Sequence, residues 1–247
     1  MAKIAIIGGT GLTSLQGLEI TGQVALQSKY GAPSGALTTG ILSGQEVLFL
    51  PRHGYDHTIP PHKVNYRANI AVLEEAGAHY IIAVNAVGGI SDDMGPGQIC
   101  IPDHLIDYTS SRQHTFFEDD LENVVHIDFT QPYCETLRQK LISAAAQQGV
   151  DVVAKGTYAV TQGPRLETAA EIDRFERDGC HIVGMTAMPE AALARELGLC
   201  YASVSVVANM AAGRGEGEIT MDEIERTVNT AMAKVRSLLE GVIPMLS

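Results

Sequence analysis

Short apolar runs alternate with amphipathic helical segments along the chain, and this alternation constrains the fold more than any other feature of the sequence. The apolar runs predict strands at 4–8, 47–50, 80–85, 98–102, 156–161, 182–184 and 200–207. The amphipathic segments predict helices at 65–76, 132–148, 168–178, 189–197 and 220–241. Such alternation is typical of an α/β fold, in which helices pack against a sheet. No repeat or linker divides the 247 residues, so we predict a single domain over 1–247.

The last predicted helix has the clearest pattern. Its apolar residues recur every three or four positions and form one stripe, which predicts a helix packed on the core. The stripe consists of Ile224, Val228, Ala231, Met232, Val235, Leu238, Leu239 and Val242. Only the first turn of this helix is expected to have a role other than packing on the core.

Charge and composition exclude several classes of function. The formal net charge of −12 would repel a nucleic-acid backbone, and no Lys/Arg-rich run compensates for it locally. Any anion that the protein binds must therefore occupy a locally built site. No apolar run approaches the roughly 18 residues that a membrane helix needs. We expect neither a nucleic-acid partner nor a membrane partner.

The cysteines and the N-terminus bear on location. The four cysteines are far apart and form no CxxC pair, which predicts buried thiols in a reducing compartment: Cys100, Cys134, Cys180 and Cys200. The chain begins with a predicted strand instead of a signal peptide. We therefore predict a cytoplasmic location.

Metal binding has little support in the sequence. His53 and His57 have the i, i+4 spacing of a helical ligand pair. Gly54 between them and Pro60-Pro61 beyond them favour a loop. We predict no metal site.

Four polar clusters stand at the ends of predicted strands, where open α/β sheets commonly bind ligands. Each has an ordinary explanation by itself: a tight turn, a surface salt bridge, a helix cap or an Asn turn. The first lacks the last glycine of a dinucleotide-binding motif, since Ser14 stands there. The clusters are Gly8-Gly9-Thr10-Gly11, Pro51-Arg52-His53-Gly54, the stretch 161–168, and Gly184-Met185-Thr186 together with Val206-Val207-Ala208-Asn209.

Together these clusters resemble the trimeric nucleoside phosphorylases, the family that includes purine nucleoside phosphorylase and 5'-methylthioadenosine phosphorylase. The resemblance runs nearly end to end, and several motifs match in the same order. The most specific are Pro51-Arg52-His53-Gly54, His57-Thr58-Ile59, the stretch 63–69, Gln162-Gly163-Pro164-Arg165 and Val183-Gly184-Met185-Thr186. The resemblance implies a central twisted mixed β-sheet flanked by α-helices. It also implies phosphorolysis, with inorganic phosphate as co-substrate and no metal or organic cofactor.

The resemblance assigns residues to a phosphate site and to the sugar. Thr10, Arg52, His53 and Thr186 match phosphate-binding positions of the family. An arginine fork with two hydroxyls suits an anion site inside an acidic protein. Asn85 and Ala86, at the end of the predicted strand 80–85, are assigned to the same phosphate site, and Asn85 replaces a threonine usual in the methylthio branch. Met185 resembles the methionine that packs beneath the ribose.

The base pocket resembles that of the 6-oxopurine enzymes. Glu167 and Asn209 stand where those enzymes recognise the base, and Ala211 replaces an aspartate of the adenine-specific branch. A 6-oxopurine offers an N1–H to a carboxylate and an O6 to an amide NH2. Leu166 replaces a common aromatic that stacks on the base. Asn209 and Glu167 are the predicted catalytic residues.

The sugar end favours a methylthio group. Oxopurine phosphorylases place a histidine near the 5'-hydroxyl, but this chain has no histidine after His181. Met221 and Ile224 offer an apolar wall instead. His126 resembles a residue that reaches the neighbouring subunit's site, which implies a homotrimer. The expected substrate is 5'-methylthioinosine.

Three alternatives stay open. The first is a general 6-oxopurine nucleoside phosphorylase acting on inosine or guanosine. The second is a 5'-methylthioadenosine phosphorylase. The third is a non-catalytic nucleoside-binding module on the same fold, which the absence of phosphorolysis would favour.

Overall fold

The computed structural model describes residues 3–12, 17–119 and 123–246. The strands are β1 (Lys3–Gly8), β2 (Glu19–Val24), β3 (Leu37–Leu42), β4 (Gln45–Pro51), β5 (Ala78–Gly89), β6 (Ile99–Cys100), β7 (His104–Asp107), β8 (Val152–Val153), β9 (Thr157–Val160), β10 (Ile182–Gly184) and β11 (Cys200–Met210). The α-helices are α1 (Tyr66–Glu75), α2 (Glu135–Gln147), α3 (Ala169–Arg177), α4 (Ala187–Glu196) and α5 (Met221–Val242). Short 3-10 turns occupy Pro61–Lys63 and Ile243–Leu246.

The described strands join in one mixed sheet, as the sequence predicts. The main order is β2-β3-β4-β1-β5-β10-β9-β7, and a branch runs from β5 through β11 and β6 to β8. β1 lies parallel to β4 and β5, whereas β10 lies antiparallel to β5. The helices pack on the faces of this sheet, so the predicted α/β class is confirmed.

The long strand β5 determines where a cavity can form. β11 pairs along one edge of β5 from Tyr80 to Gly89. A strand has only two edges, so β1 and β10 must share the other one. β1 pairs with β5 only as far as Ala83, and β10 begins its pairing at Gly88. The residues between them, 84–87, therefore face a gap in the sheet.

Two apolar clusters, one on each side of the sheet, form most of the core. One includes residues of α2 and α5, and the other includes residues of α1 and α4. The stripe predicted on α5 is buried along its whole length, from Ile224 to Val242. Side-chain caps fix three helix starts, with Asn65 before α1, Thr168 before α3 and Thr220 before α5.

The structure differs from the predicted elements in ways that have physical reasons. β2 and β7 escaped prediction because most of their side chains are exposed or partly exposed and their sequences lack an apolar run. β3 and the two-residue β8 were also not predicted. β5 and β11 extend further than predicted, and α2 begins at Glu135 instead of residue 132.

The expectation of four free thiols is wrong for two of them. Cys134 and Cys200 form a disulfide, with their Cα atoms 5.2 Å apart. The start of α2 lies against β11, where the N–H of Cys134 donates to the carbonyl of Tyr201 at 2.8 Å. Cys100 and Cys180 are buried free cysteines. Spacing along the chain gave no sign of this pair, since 66 positions separate its members.

Among the described residues, no helix combines the length and apolar character that crossing a bilayer requires.

The disulfide yields a stability prediction. Because it closes a loop of 66 positions, the double variant Cys134→Ser/Cys200→Ser should lose about 2–4 kcal/mol of unfolding free energy. Urea unfolding with and without a reductant measures this. Reductant should lower the stability of the wild type and leave the double variant unchanged. A wild type that is insensitive to reductant would show that the bond does not form.

Candidate active site

A cavity of about 330 Å³ opens at the gap beside β5. The ends of β1, β4, β5, β10 and β11 converge on it, as expected for ligand sites of α/β sheets. The structure brings together here almost all of the predicted site residues. They are Thr10, Arg52, His53, Asn85, Ala86, Leu166, Glu167, Met185, Thr186, Asn209, Ala211, Met221 and Ile224.

Arg52 is fully buried and paired with a carboxylate. Its Nε and Nη2 donate to the two oxygens of Glu190, each at 2.8 Å, and its Nη1 donates to the carbonyl of Val84 at 3.0 Å. Tyr201 donates its hydroxyl to Glu190 at 2.8 Å. Burial opposes the charged form, but Glu190 outweighs it and holds the pKa of Arg52 above its usual value. One hydrogen on each of Nη1 and Nη2 is left over for a ligand.

Gly9 allows this arginine to lie against the turn after β1. A Cβ atom at Gly9 would lie 2.9 Å from Nη1 of Arg52 and 2.6 Å from the carbonyl oxygen of Val84. Both distances are too short for a carbon atom, so only glycine fits here. Gly9, directly after β1, thus permits close packing around Arg52, while Thr10 beside it lines the cavity.

His53 is neutral in this environment. Burial, followed by the nearby charge of Arg52, lowers its pKa to about 4. Its Nδ1 lies 2.8 Å from the carbonyl oxygen of Ile59. Because a carbonyl can only accept, Nδ1 carries the hydrogen and Nε2 is an acceptor.

Thr186 and Asn85 form a buried polar chain behind the cavity. The hydroxyl of Thr186 donates to Oδ1 of Asn85 at 3.0 Å. Nδ2 of Asn85 donates to the hydroxyl of Ser203, which lies 3.1 Å from that of Ser205. Asn85 thereby orients Thr186, and it retains one amide hydrogen.

The base-reading residues of the sequence prediction line the same cavity. Glu167 accepts a hydrogen bond of 2.6 Å from the hydroxyl of Thr161. Asn209 donates through Nδ2 to the carbonyl of Met210 at 2.7 Å and keeps its second amide hydrogen. The pairing of β11 with β5 skips a residue between Val207 and Asn209. This bulge turns the end of β11 at the cavity, where Asn209 lies.

The residues predicted to lie at the sugar are apolar. Met221 and Ile224 come from the first turn of α5, and Ile219 precedes them. Met221 is 60% exposed, so this wall is open to solvent in the single chain. His126 is exposed and does not line the cavity of its own chain.

Several residues of the site were not predicted from the sequence. Glu190 and Tyr201 support Arg52, and His57, Ile59 and Pro60 line the cavity. An acidic residue in the first turn of a helix is common on electrostatic grounds, so Glu190 gave no sign of burial. His57 and Ile59 belong to one of the family motifs, and Pro60 follows that motif directly. Within the described residues, no three His, Cys, Asp or Glu side chains are placed to hold a metal ion.

The class of protein follows from this fold and site together with a family match. The profile of the Phosphorylase superfamily matches residues 3–244. The chain therefore belongs to the phosphorylase superfamily, which confirms the resemblance drawn from its motifs.

Two relatives and one solved structure are similar to this chain over nearly its whole length. A probable S-methyl-5'-thioinosine phosphorylase of Pseudomonas syringae pathovar tomato is 58% identical, over 98% of this chain and 99% of its own. A 6-oxopurine nucleoside phosphorylase of Pyrococcus furiosus is 42% identical, over 100% and 94%. The solved structure of methylthioadenosine phosphorylase from Schistosoma mansoni with adenine has a TM-score of 0.96 and 32% identity, covering 100% of this chain and 92% of its own.

The neutral state of His53 yields a prediction about pH. With a folded pKa of about 4 against an ordinary value of 6.5, the folded protein binds fewer protons than the unfolded chain between these two values. The unfolding free energy should therefore fall as the pH is lowered from 6.5, by about 3 kcal/mol from this residue at pH 4.

Urea unfolding of the wild type and of His53→Asn at several pH values isolates this contribution. Asn keeps a donor for Ile59 but does not titrate, so its stability should depend less on pH in this range. An NMR titration of the His53 ring with a midpoint near 6.5 would contradict the prediction.

Proposed function

We propose that this protein cleaves S-methyl-5'-thioinosine with inorganic phosphate, releasing hypoxanthine and 5-methylthioribose 1-phosphate. The observation that carries the proposal is that a single cavity is lined by Arg52, Thr10 and Thr186 and also by Glu167 and Asn209. An anion and a 6-oxopurine bound there would lie on either side of one sugar. The relatives named for this activity support the same assignment.

The base end explains the choice of a 6-oxopurine. Glu167 accepts the N1–H, while the remaining amide hydrogen of Asn209 donates to O6. As the glycosidic bond breaks, electron density moves onto the purine, and the bond from Asn209 strengthens with it. Adenine presents an amine at position 6 and no hydrogen on N1, so it would leave this donor and this acceptor unpaired.

The phosphate end supplies the nucleophile. Arg52 donates through its spare hydrogens, and Thr10 supplies a hydroxyl. An oxygen of phosphate attacks the anomeric carbon as the bond to N9 breaks, and the anion stabilises the cation-like sugar between them. The hydrogen of monohydrogen phosphate balances the neutral base that departs. The reaction needs no metal and no organic cofactor.

The apolar wall selects the sugar. Met221, Ile224 and Ile219 offer no partner for a 5'-hydroxyl, whereas a methylthio group gains by leaving water there. A second candidate is a general 6-oxopurine nucleoside phosphorylase, which the Pyrococcus furiosus relative favours. Both candidates use Glu167 and Asn209 in the same way, so only the 5' substituent separates them.

A substrate panel tests the proposal. The purified protein is incubated with phosphate and either methylthioinosine, methylthioadenosine, inosine or adenosine, and release of the base is followed. We expect the highest kcat/KM for methylthioinosine, with no release when phosphate is omitted. A preference for inosine would favour the second candidate. No phosphorolysis of any of the four would favour a nucleoside-binding module.

Asn209→Asp tests how the base is recognised. It replaces an amide donor with a carboxylate that only accepts, so O6 of hypoxanthine would face a like acceptor. The ratio of kcat/KM for methylthioinosine to that for methylthioadenosine should fall by up to about two decades, since a reversed hydrogen bond costs roughly 1–3 kcal/mol.

A matched control for this variant is Asn229→Asp, which makes the same chemical change on the exposed face of α5. It should leave the ratio unchanged. An unaltered ratio in a folded Asn209→Asp protein would remove Asn209 from base recognition.

We also propose a homotrimer, in which His126 of one subunit completes the open sugar end of the next. The exposure of both Met221 and His126 in the single chain supports this arrangement. Sedimentation velocity should show a trimer, and His126→Ala should raise the nucleoside KM. A fully active monomer would contradict both statements. A cytoplasmic location stays a prediction from the sequence.

A further inference from the structure

Arg112 lies outside the cavity, in the segment that follows β7, and its guanidinium contacts two segments that carry cavity-lining residues. They are the base-reading wall, residues 161–167, and the sugar wall, residues 184–188. The side chain is half-buried. It packs over the ring of Tyr66 at 5.4 Å from the ring centroid. Neither the family motifs quoted above nor the proposed reaction assigns a role to it.

One set of contacts reaches the base-reading wall. Nη2 of Arg112 donates to the carbonyls of Gln162 at 2.9 Å and Thr161 at 3.2 Å. Nε donates to the side-chain oxygen of Gln162 at 3.0 Å. Thr161 is the residue whose hydroxyl holds Glu167. Arg112 thus fixes the backbone from which Glu167 is oriented.

The other set reaches the sugar wall. Nη1 of Arg112 donates to the carbonyl of Met185 at 2.8 Å and to that of Met188. Met185 lines the cavity where the sugar is expected, and Thr186 follows it. The N–H of Thr161 donates to the carbonyl of Gly184, and both strands end at this point. Past the ends of these two strands, Arg112 links the two walls by donating to a carbonyl on each of them.

We propose that Arg112 is a positioning residue that sets the spacing between Glu167 and Met185, and thereby the fit of the nucleoside. This proposal rests on the proposed phosphorolysis. A planar guanidinium reaches carbonyls on both walls at once, whereas the ammonium of lysine has three donors at one point. The phosphate end has separate supports, in the pair of Arg52 with Glu190 and in Asn85 behind Thr186. Loss of Arg112 should therefore affect the nucleoside more than the phosphate.

A second arginine of the chain, with contacts that are only structural, provides a matched control for Arg112. Arg138 on α2 is buried and donates to the carbonyls of Ile101, Pro102 and Ala154, none of which lines the cavity. Arg138→Lys and Arg112→Lys make the same chemical change to the same kind of contact. Both substitutions should lower the melting temperature, but only Arg112→Lys should change how well the nucleoside fits the cavity.

The test is steady-state kinetics of the wild type, Arg112→Lys and Arg138→Lys, with nucleoside and phosphate varied in turn. We expect Arg112→Lys to raise the nucleoside KM roughly tenfold or more and to reduce discrimination between methylthioinosine and methylthioadenosine. Its phosphate KM should stay within about threefold of the wild type, given the separate supports of that end. Arg138→Lys should leave both constants near those of the wild type.

Gln162→Met provides a second variant if Arg112→Lys does not fold. It removes the side-chain oxygen that accepts from Nε of Arg112 and from the N–H of Ser110, and it leaves the backbone acceptors of Arg112 in place. The nucleoside KM should therefore rise in the same direction by a smaller factor. An unchanged nucleoside KM in either folded variant, or equal changes for Arg112→Lys and Arg138→Lys, would overturn the proposal. A wild type without phosphorolysis would instead refute the proposed function, and the role of Arg112 with it.

Discussion

The buried ion pair between Arg52 and Glu190 is the interaction on which the rest of the site depends. It joins the turn after β4 to the first turn of α4, and Tyr201 on β11 completes it with a third hydrogen bond. Removing one partner of such a pair leaves an uncompensated charge in the interior, at a cost of about 3–5 kcal/mol. The ion pair and this hydrogen bond therefore hold three separate segments of the chain together.

The proposed function requires that a protein with a net charge of −12 accept an anion in a locally built site. Glu190 fixes the guanidinium of Arg52, which keeps one N–H on each of Nη1 and Nη2 for a ligand. Directed donors of this kind favour the shape of an oxyanion. The gap beside β5 places them in the same cavity as Glu167 and Asn209, where we propose that the nucleoside binds.

Local patterns predicted the class of fold, and the family resemblance predicted most of the residues that line the cavity. The stripe on α5 and the polar clusters at strand ends depend on neighbouring positions, so the sequence was sufficient to predict them. The role of Glu190 depends on a partner 138 positions away, and the disulfide spans 66 positions. Arg112 acts through backbone carbonyls, which no side-chain pattern records. The bulge near Asn209 likewise depends on the pairing of β11 with β5. This pairing continues past residue 207, where β11 was predicted to end.

The central claim is that one cavity holds an oxyanion at Arg52 and a 6-oxopurine between Glu167 and Asn209. A crystal structure of the protein with methylthioinosine, and with sulfate in place of phosphate, tests it most directly. We expect the Glu167 carboxylate within hydrogen-bond distance of N1 and the Asn209 amide at O6. We also expect sulfate against the guanidinium of Arg52, on the opposite side of the sugar from the base. A base that contacts neither residue, or an anion bound away from Arg52, would contradict it.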